Sequence, residues 1–563
     1  MQKKKRAVLA FGALAGVTVL GGVAAAIPQP TPIGFTQERS AELAAQIDPA
    51  KPRNVILIIG DGMDDSIITA ARNYEYGAGG RFPALDALPF TGAMTTYGLK
   101  AGTAPDYPIA YVSDSAPTAS GWSTGKKTID SRISQGPSTA LTVPGEDYET
   151  VLEKYKKQGK LVGNISTAEI TDATPAAAAS HINARACQGP TDMADCTAAK
   201  KSNGGKGSIA EQLVDNRIDV LMGGGRNRYN QNIDAGGTAL AYAQTQKGYR
   251  LVSNATELEA VTSLSQGPVL GLFSNANMTP RYQPLVATAP PGVGGATTRC
   301  AESDRGTQPD LSAMMQKSIS LLDNPNGFFL QAESAMIDKQ EHSMDICGAI
   351  GDLKELDETV AVALDYQKTH PDTLIVVTGD HSHSTQIVGD TNGGRQVATV
   401  QTADGDPMTV AYSTSTGGSN HTGTQIRVAA AGPQAANVTG TIDQTDLFQT
   451  LLGRTPSTLP GPGTTPATPL KPSASVVAGA SKISVKQLAK KGLPVAVAAS
   501  GATTVTVTLV KGTKTLATKS TAVDGGTVTL KSKKASKGKV KVVVTVSGAG
   551  GSASDSDSVK ITK

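Results

Sequence analysis

Asn54–Met63 reads NVILIIGDGM. Within it, Val55–Ile59 is unbroken and branched, the pattern of a strand buried on both faces. Such a strand belongs in a parallel sheet covered by helices on either side. Short runs of the same kind recur at Leu161–Ile165, Asp219–Met222, Val269–Phe273, Phe328–Gln331 and Leu374–Val377. Amphipathic stretches lie between and after them: Ser208–Arg217, Asp310–Leu322, Leu353–Lys368 and Asp443–Leu452, the last opening on Asp443 as a suitable N-cap. The alternation predicts an α/β domain with a central, mostly parallel sheet flanked by helices on both faces.

Outside this region the composition changes. The 563 residues, with formal net charge +4, are too many for one compact core. Thr455–Pro472 (TPSTLPGPGTTPATPLKP) cannot form a helix or a central strand and reads as an extended linker. Beyond it, short alternating runs at Thr504–Val510, Thr527–Leu530 and Lys539–Val546 suggest a small antiparallel β-sandwich. From Ala474 onward there are 15 Lys, 3 Asp and no Arg, so the preceding part is acidic. At the other end, Lys3–Arg6 is a positive patch, Ala7–Val23 is apolar and uncharged, and Ala24–Ala26 offers small residues for cleavage. That is an export signal, short and glycine-bearing for a membrane span. The expected organisation is a signal peptide over 1–26, an N-terminal segment over 27–53, the α/β domain over 54–454, a linker over 455–473 and a Lys-rich β-sandwich-like domain over 474–563. In an exported chain, periplasmic, surface-held or extracellular, four cysteines suggest two disulfides. Cys187 and Cys196 would close a local loop, and Cys300 and Cys347 a longer one. With no C-x-x-C pair, zinc coordination by these thiols is disfavoured.

In an open α/β sheet, ligands bind beyond the carboxyl ends of the strands. Asp61, Glu333 and Asp380 each follow one of the expected strands there. One such acid often only caps a turn. Three at one edge, with histidines nearby, point to a metal cluster. Asp338 and His342 are spaced i, i+4 and share a helix face, so both can reach one ion. Asp380 is followed at once by His381, with His383 two residues later; His421 stands alone, and His370, beside Pro371, is expected in solvent. Asp114-Ser115-Ala116-Pro117 opens a run of small residues and reads as a helix start. A hydroxyl at that position sits beside orphan N–H groups and the positive end of the helix dipole, which favour an alkoxide and a bound phosphate alike. Arg185 offers a planar fork suited to a phosphoryl group.

Together these residues resemble the periplasmic alkaline phosphatases of enteric bacteria, over about Asn54 to Leu452. The resemblance is carried by NVILIIGDGM, SDSA…WSTG (Ser113–Gly125), STAEITDATPAAAASH (Ser166–His181), GGKGSIAEQL (Gly204–Leu213), IDKQEH (Ile337–His342), TGDHSHSTQIV (Thr378–Val388), HTG (His421–Gly423) and DQTDLF (Asp443–Phe448). It implies hydrolysis of phosphate monoesters through a phosphoserine on Ser115, with two zinc ions and one magnesium ion. One zinc would be held by Asp338, His342 and His421, and the second by Asp61, Asp380 and His381 facing Ser115. The magnesium would be held by Asp61, Thr174 and Glu333, with Asp172 and Lys339 orienting its waters. Arg185 would clamp two phosphate oxygens, Asp114 would hold that arginine, Lys339 would face the phosphate, and His383 would support a zinc ligand. The family also pairs the four cysteines as above and forms homodimers.

Two features depart from the family. Pro117 replaces a small residue after the nucleophile, tolerable in a first helical turn but lacking an N–H that could face phosphate. The Lys-rich extension is additional, and its one-sided charge fits an anionic cell-envelope or polysaccharide contact. Nucleic acid is not expected, because no aromatics interleave with the lysines. The alternatives are a phosphodiesterase of the same superfamily, which need not keep an arginine for two free oxygens, and a surface-adhesion protein with a relic site. A sulfatase would need C/S-x-P-x-R, and Ser115–Ala119 has no arginine.

Overall fold

A computed structural model of the protein describes residues 39–389, 394–412, 419–454, 471–500, 502–521, 525–548 and 551–563. The expected signal peptide at 1–26 lies outside them, as does most of the expected linker. The chain divides into two compact units between residues 456 and 457.

The first unit is built on a ten-stranded sheet. Its strands are β1 (Asn54–Gly60), β2 (Phe90–Thr95), β3 (Leu161–Glu169), β4 (Val220–Gly224), β5 (Arg250–Val252), β6 (Val269–Leu272), β7 (Phe328–Ser334), β8 (Thr373–Gly379), β9 (Ile426–Ala431) and β10 (Gly440–Asp443). The spatial order is β10-β2-β9-β8-β1-β7-β3-β4-β6-β5. Every pairing is parallel except the two made by β9. β1 lies centrally, and its side chains alternate between two cores. Ile56 and Ile58 enter one, while Val55, Leu57 and Ile59 enter the other. Each of these five is fully withdrawn from water, contributing about 2 kcal/mol apiece. The first core also takes in residues of helices α3 (Leu311–Leu322) and α5 (Ile346–Thr369). The second core takes in residues of α1 (Ser115–Thr124), α2 (Ile209–Asp215) and α6 (Gln444–Leu451). Trp122, the one tryptophan of the chain, sits in the second core, and its indole N–H donates to Gln331 Oε1 at 3.4 Å.

The sequence reading named six of these ten strands and not β2, β5, β9 or β10, and it departs from the structure at two further elements and one residue. β3 runs on to Glu169 because Ser166 and Thr167 are buried yet satisfied, accepting from Ala168 N and Ala335 N, each at 2.8 Å. α5 begins at Ile346, seven residues before the expected Leu353, across Gly348 and Gly351. A Cβ on Gly348 would lie 2.5 Å from Gln340 Cγ, and one on Gly351 would lie 2.9 Å from Tyr282 Cδ2, so tight packing, not a turn, places glycine there. His370 is not a free solvent-facing residue: its ring stacks on Tyr366 at 4.0 Å where α5 ends.

The second unit has strands β11 (Ser473–Ala478), β12 (Lys482–Ser484), β13 (Leu493–Ser500), β14 (Thr504–Lys511), β15 (Lys514–Thr521), β16 (Gly525–Leu530), β17 (Gly538–Gly548) and β18 (Gly551–Thr562). They form a sheet β11-β13-β16 and a sheet β12-β18-β17-β14-β15 around one core that includes Val476, Val495, Val507, Val544 and Ile561. A short helix, Val485–Lys490, was not expected; Ser484 and Gln487 form its capping box.

The four cysteines pair as Cys187–Cys196 and Cys300–Cys347, with sequence separations of 9 and 47. The entropy model assigns about 3 kcal/mol to the short loop and about 4 kcal/mol to the long one. Replacing Cys300 and Cys347 by serine should therefore lower the melting temperature more than replacing Cys187 and Cys196. The reverse order in a calorimetric comparison would refute this ranking.

Candidate active site and metal centre

Parallel register sets the first layer of the site. Ile59 of β1 pairs with Glu333 of β7, and Gly60 pairs with Gly379 of β8. Asp61 and Asp380 therefore leave neighbouring strands side by side, next to Glu333, and all three are almost wholly buried. The Asp380 Oδ1 oxygen accepts from Gly62 N and His381 N, both at 2.8 Å. Gly62 makes that turn at φ +71°, where a Cβ would stand 3.1 Å from Asp338 Cα.

Ser115 is the first residue of α1, with Asp114 at the N-cap. Its Oγ lies 3.1 Å from His381 Nε2 and 3.4 Å from Asp61 Oδ1. Asp114 makes no side-chain cap bond, because its carboxylate is engaged by Arg185 Nη1. The leading N–H groups of α1 are thus left uncapped by that side chain, beside the hydroxyl. Pro117 is the third helical residue, where no intrahelical N–H bond is lost. Thr118 Oγ1, 3.4 Å from Asp380 Oδ2, and Gln444 Nε2, 2.7 Å from Asp380 O, fasten α1 and α6 to the end of β8.

A second cluster gathers on α4 (Met336–His342). Asp338 Oδ1 lies 3.4 Å from His342 Nε2, 3.2 Å from His421 Nε2 and 3.3 Å from His383 Nε2. The opposite ring nitrogens distinguish the three histidines. His421 Nδ1 faces the Ser113 carbonyl at 3.0 Å and His342 Nδ1 faces the Ser419 carbonyl at 3.3 Å. A carbonyl only accepts, so both rings carry the proton on Nδ1 and direct an Nε2 lone pair inward. Those two Nε2 atoms are 3.0 Å apart. Two lone pairs and a carboxylate oxygen converging without a donor between them fit a cation. His383 is the opposite case: its Nδ1 accepts from Ser384 N at 2.9 Å, so Nε2 carries the proton and faces Asp338 Oδ1 at 3.3 Å. His342 is 39% exposed while His381 is at 0%, so this cluster opens to solvent and the Asp61–Asp380–His381 group does not.

On the other flank, Arg185 Nη2 donates to Asp172 Oδ1 at 2.6 Å, and Lys339 Nζ lies 2.7 Å from Asp172 Oδ2. Glu333 Oε2 accepts from Ser166 Oγ. The buried Thr174 Oγ1 has no partner among the described residues. Burial pushes the Asp61 carboxyl well above its ordinary range, and the charges of Asp338 and Asp380 push it further. Burial likewise lifts Glu333 to about 7 and Asp380 to about 6. It would also lift Asp172, but Lys339 and Arg185 outweigh it and hold that carboxyl far below its usual value. Burial, with His421 beside it, keeps the His381 ring neutral. Three mutually repelling carboxyls, a neutral imidazole and an orphaned hydroxyl are a donor set suited to divalent cations.

Residues 52–419 match the family model described as alkaline phosphatase. Alkaline phosphatase H of Pseudomonas aeruginosa is 44% identical over 74% of this chain and 87% of its own length. The Escherichia coli alkaline phosphatase is 43% identical over 74% of this chain and 89% of its own.

The chain belongs to the alkaline phosphatase family.

It is accordingly a phosphomonoester hydrolase. Another relative, the streptomycin-6-phosphate phosphatase of Streptomyces griseus, is 41% identical over 72% of this chain and 90% of its own. The structure of the alkaline phosphatase from the Antarctic bacterium TAB5 shares the fold, with a TM-score of 0.54, 22% identity, and coverage of 72% of this chain and 99% of that one.

The structure brings Asp61, Ser115, Asp114, Asp172, Thr174, Arg185, Glu333, Asp338, Lys339, His342, Asp380, His381 and His421 to the one edge of the sheet, and none of these expected residues lies elsewhere. The sequence reading missed Thr118, Gln444 and Asp64. Asp64 Oδ2 accepts from Ser382 Oγ at 2.6 Å and so positions the His381–His383 turn. Its only sequence signal is an acid three residues after Asp61, indistinguishable from the N-cap it also is.

At pH 9, long-range 1H–15N spectra should show His421 and His342 protonated on Nδ1 and His383 on Nε2. A proton on Nδ1 of His383 would remove the distinction drawn here. The raised carboxyls make a second prediction. Glu333 is mostly protonated and Asp380 about half protonated at pH 6, and both are ionised at pH 9, so they must lose protons to accept a cation at the lower pH. Zinc added to metal-free protein should release protons near pH 6, and progressively fewer toward pH 9. A release that does not change with pH would contradict this.

Proposed function

We propose that Ser115 is the nucleophile of a phosphatase working at a two-zinc, one-magnesium site. One zinc is assigned to Asp338, His342 and His421, and the other to Asp61, Asp380 and His381 with Ser115. The magnesium is assigned to Asp61, Thr174 and Glu333, with Asp172 alongside. When bound, these ions supply positive charge to the attacking and leaving oxygens of an in-line displacement and stabilise the deprotonated serine.

The chain's own residues do the rest. Ser115 Oγ forms the bond to phosphorus as the ester oxygen leaves, giving a phosphoserine; water then cleaves that bond and releases phosphate. Arg185 binds two non-bridging oxygens through its fork, which favours a terminal phosphate over a diester. Asp114 and Asp172 grip both ends of that guanidinium, and Lys339 adds charge beside it. The uncapped start of α1 offers N–H groups and dipole charge to the same anion. The observation that carries the reading is the placement of Ser115 Oγ between His381 and Asp61 at that helix start.

The domain boundaries given above, export with removal of residues 1–26, and a homodimer belong to the same proposal, as does an anionic envelope contact by the extension. The two disulfides support an oxidising destination. No helix among the described residues is long and apolar enough to cross a membrane.

Ser115→Ala should abolish both turnover and covalent labelling by phosphate while leaving melting temperature and bound metal unchanged. Labelling of that variant at the wild-type level would exclude Ser115. Arg185→Ala, losing a charge-assisted pair, should weaken competitive inhibition by phosphate by about 10- to 100-fold. An unchanged inhibition constant would remove the clamp.

A further inference from the structure

We propose that the outer face of the five-stranded C-terminal sheet binds an acidic polysaccharide, through Lys482, Lys560, Lys539 and Lys541 set side by side on three adjacent strands. The inference stands on the second unit alone and is independent of the catalytic reading.

Register places these lysines together. Lys560 of β18 pairs with Lys482 of β12 on one side and with Lys539 of β17 on the other. Paired residues share a face, so three ammonium groups line up across the sheet at about 4.8 Å per strand. Lys541 lies two residues from Lys539 and hence on the same face, opposite Ser558. All four are exposed, while Val540, Val542, Val559 and Ile561 between them point into the core. Like charges placed directly opposite one another destabilise a sheet.

The obvious source of relief is used elsewhere. Of the three acids after Ala474, Asp524 has no described position. Asp555 and Asp557 sit on the inward side of β18, where Asp555 Oδ2 accepts from Val476 N and Asp557 Oδ2 from Ala478 N, both at 2.9 Å. The two carboxylates join the sheets by satisfying one edge of β11. Among the described residues of this unit no ion pair forms, so none of its described carboxylates neutralises the exposed lysine row.

The rest of the face defines the partner. Ser552, Ser554, Ser556 and Ser558 alternate outward along β18, toward Thr545 and Ser547 of β17. A flat field of hydroxyls ending in ammonium groups matches a chain of polyols bearing regular negative charges. The unit has no aromatic residue, so neither a neutral sugar nor a nucleobase can stack on it. It has no arginine for bidentate base or phosphate recognition. The valines on this face, Val510 opposite Lys541 and Val543 opposite Thr508, are half-buried and too few to enter a bilayer.

The test uses the full chain and polygalacturonate immobilised on beads. At about 10 mM salt the protein should be retained, and it should be released near 0.5 M, where screening is short-ranged. The variant K482Q/K539Q/K541Q/K560Q should bind at least tenfold more weakly. It should hydrolyse an aryl phosphate at the wild-type rate and melt no lower than wild type at low salt, since a repulsion has been removed. The variant K486Q/K490Q/K491Q/K531Q, losing the same charge from the helix and the other sheet, should bind within threefold of wild type. Absence of retention at low salt, full retention of the first variant, or equal loss in the second would each overturn the proposal. So would tighter binding to an oligothymidylate or to anionic phospholipid vesicles than to the polyuronate.

Discussion

Asp61, Glu333 and Asp380 are forced together by parallel register and shut away from water by the helices that follow their strands. Their mutual repulsion is the constraint around which the catalytic unit is arranged. Asp338 and Asp172 add to it, and the cations and imidazoles at the edge answer it. Lys339 and Arg185 bracket Asp172, and four imidazoles gather around Asp338 and Asp380. Backbone amides of Gly62 and His381 bind Asp380 directly. Burial makes the unpaired charge costly, so the fold is compatible with these residues only if cations join them or protons remain on them. The two conditions exchange with pH, so cation binding at this edge would be coupled to proton release.

Six of the ten strands were legible in the sequence because they are apolar on both sides, whereas β10 at the sheet's edge and β2 beside it, with exposed positions, were not. Val55–Ile59 could serve no half-wet strand, and the post-strand acids then followed from where ligands bind in such sheets. Legibility failed where local composition and tertiary setting disagree. Ser166–Glu169 looks like a loop but is satisfied in the interior by partners far away in sequence. The first two turns of α5 contain glycines that a local reading takes as breaks, whereas the neighbouring Gln340 and Tyr282 leave no room for anything larger. Within the site, residues of the right chemical type near a strand end could be named in advance. Those that only hold them, such as Asp64, Thr118 and Gln444, could not, because hydroxyls, amides and caps of that kind occur everywhere. The roles of the histidines depended on the partner of the far ring nitrogen, which no spacing rule supplies.

The two units handle charge in opposite ways. The first collects acids inside and opposes them with fixed cations and imidazoles. The second turns its two described acids inward to join its sheets and leaves its cations outside. Asp114 shows that a carboxylate's effect depends on what it is turned toward. At the N-cap of α1 it would close the helix start, but turned to Arg185 it leaves that start open to an anion.

The placement of Trp122 has an optical consequence. It is the sole indole of the chain, carried by the nucleophile helix itself, sealed in the core and bonded to Gln331 of a central strand. The C-terminal unit holds no tryptophan, tyrosine or phenylalanine. Emission excited at the red edge of protein absorbance therefore comes from a single chromophore seven residues from Ser115. The second unit is dark, and its unfolding passes unseen unless it is followed through the amide bands.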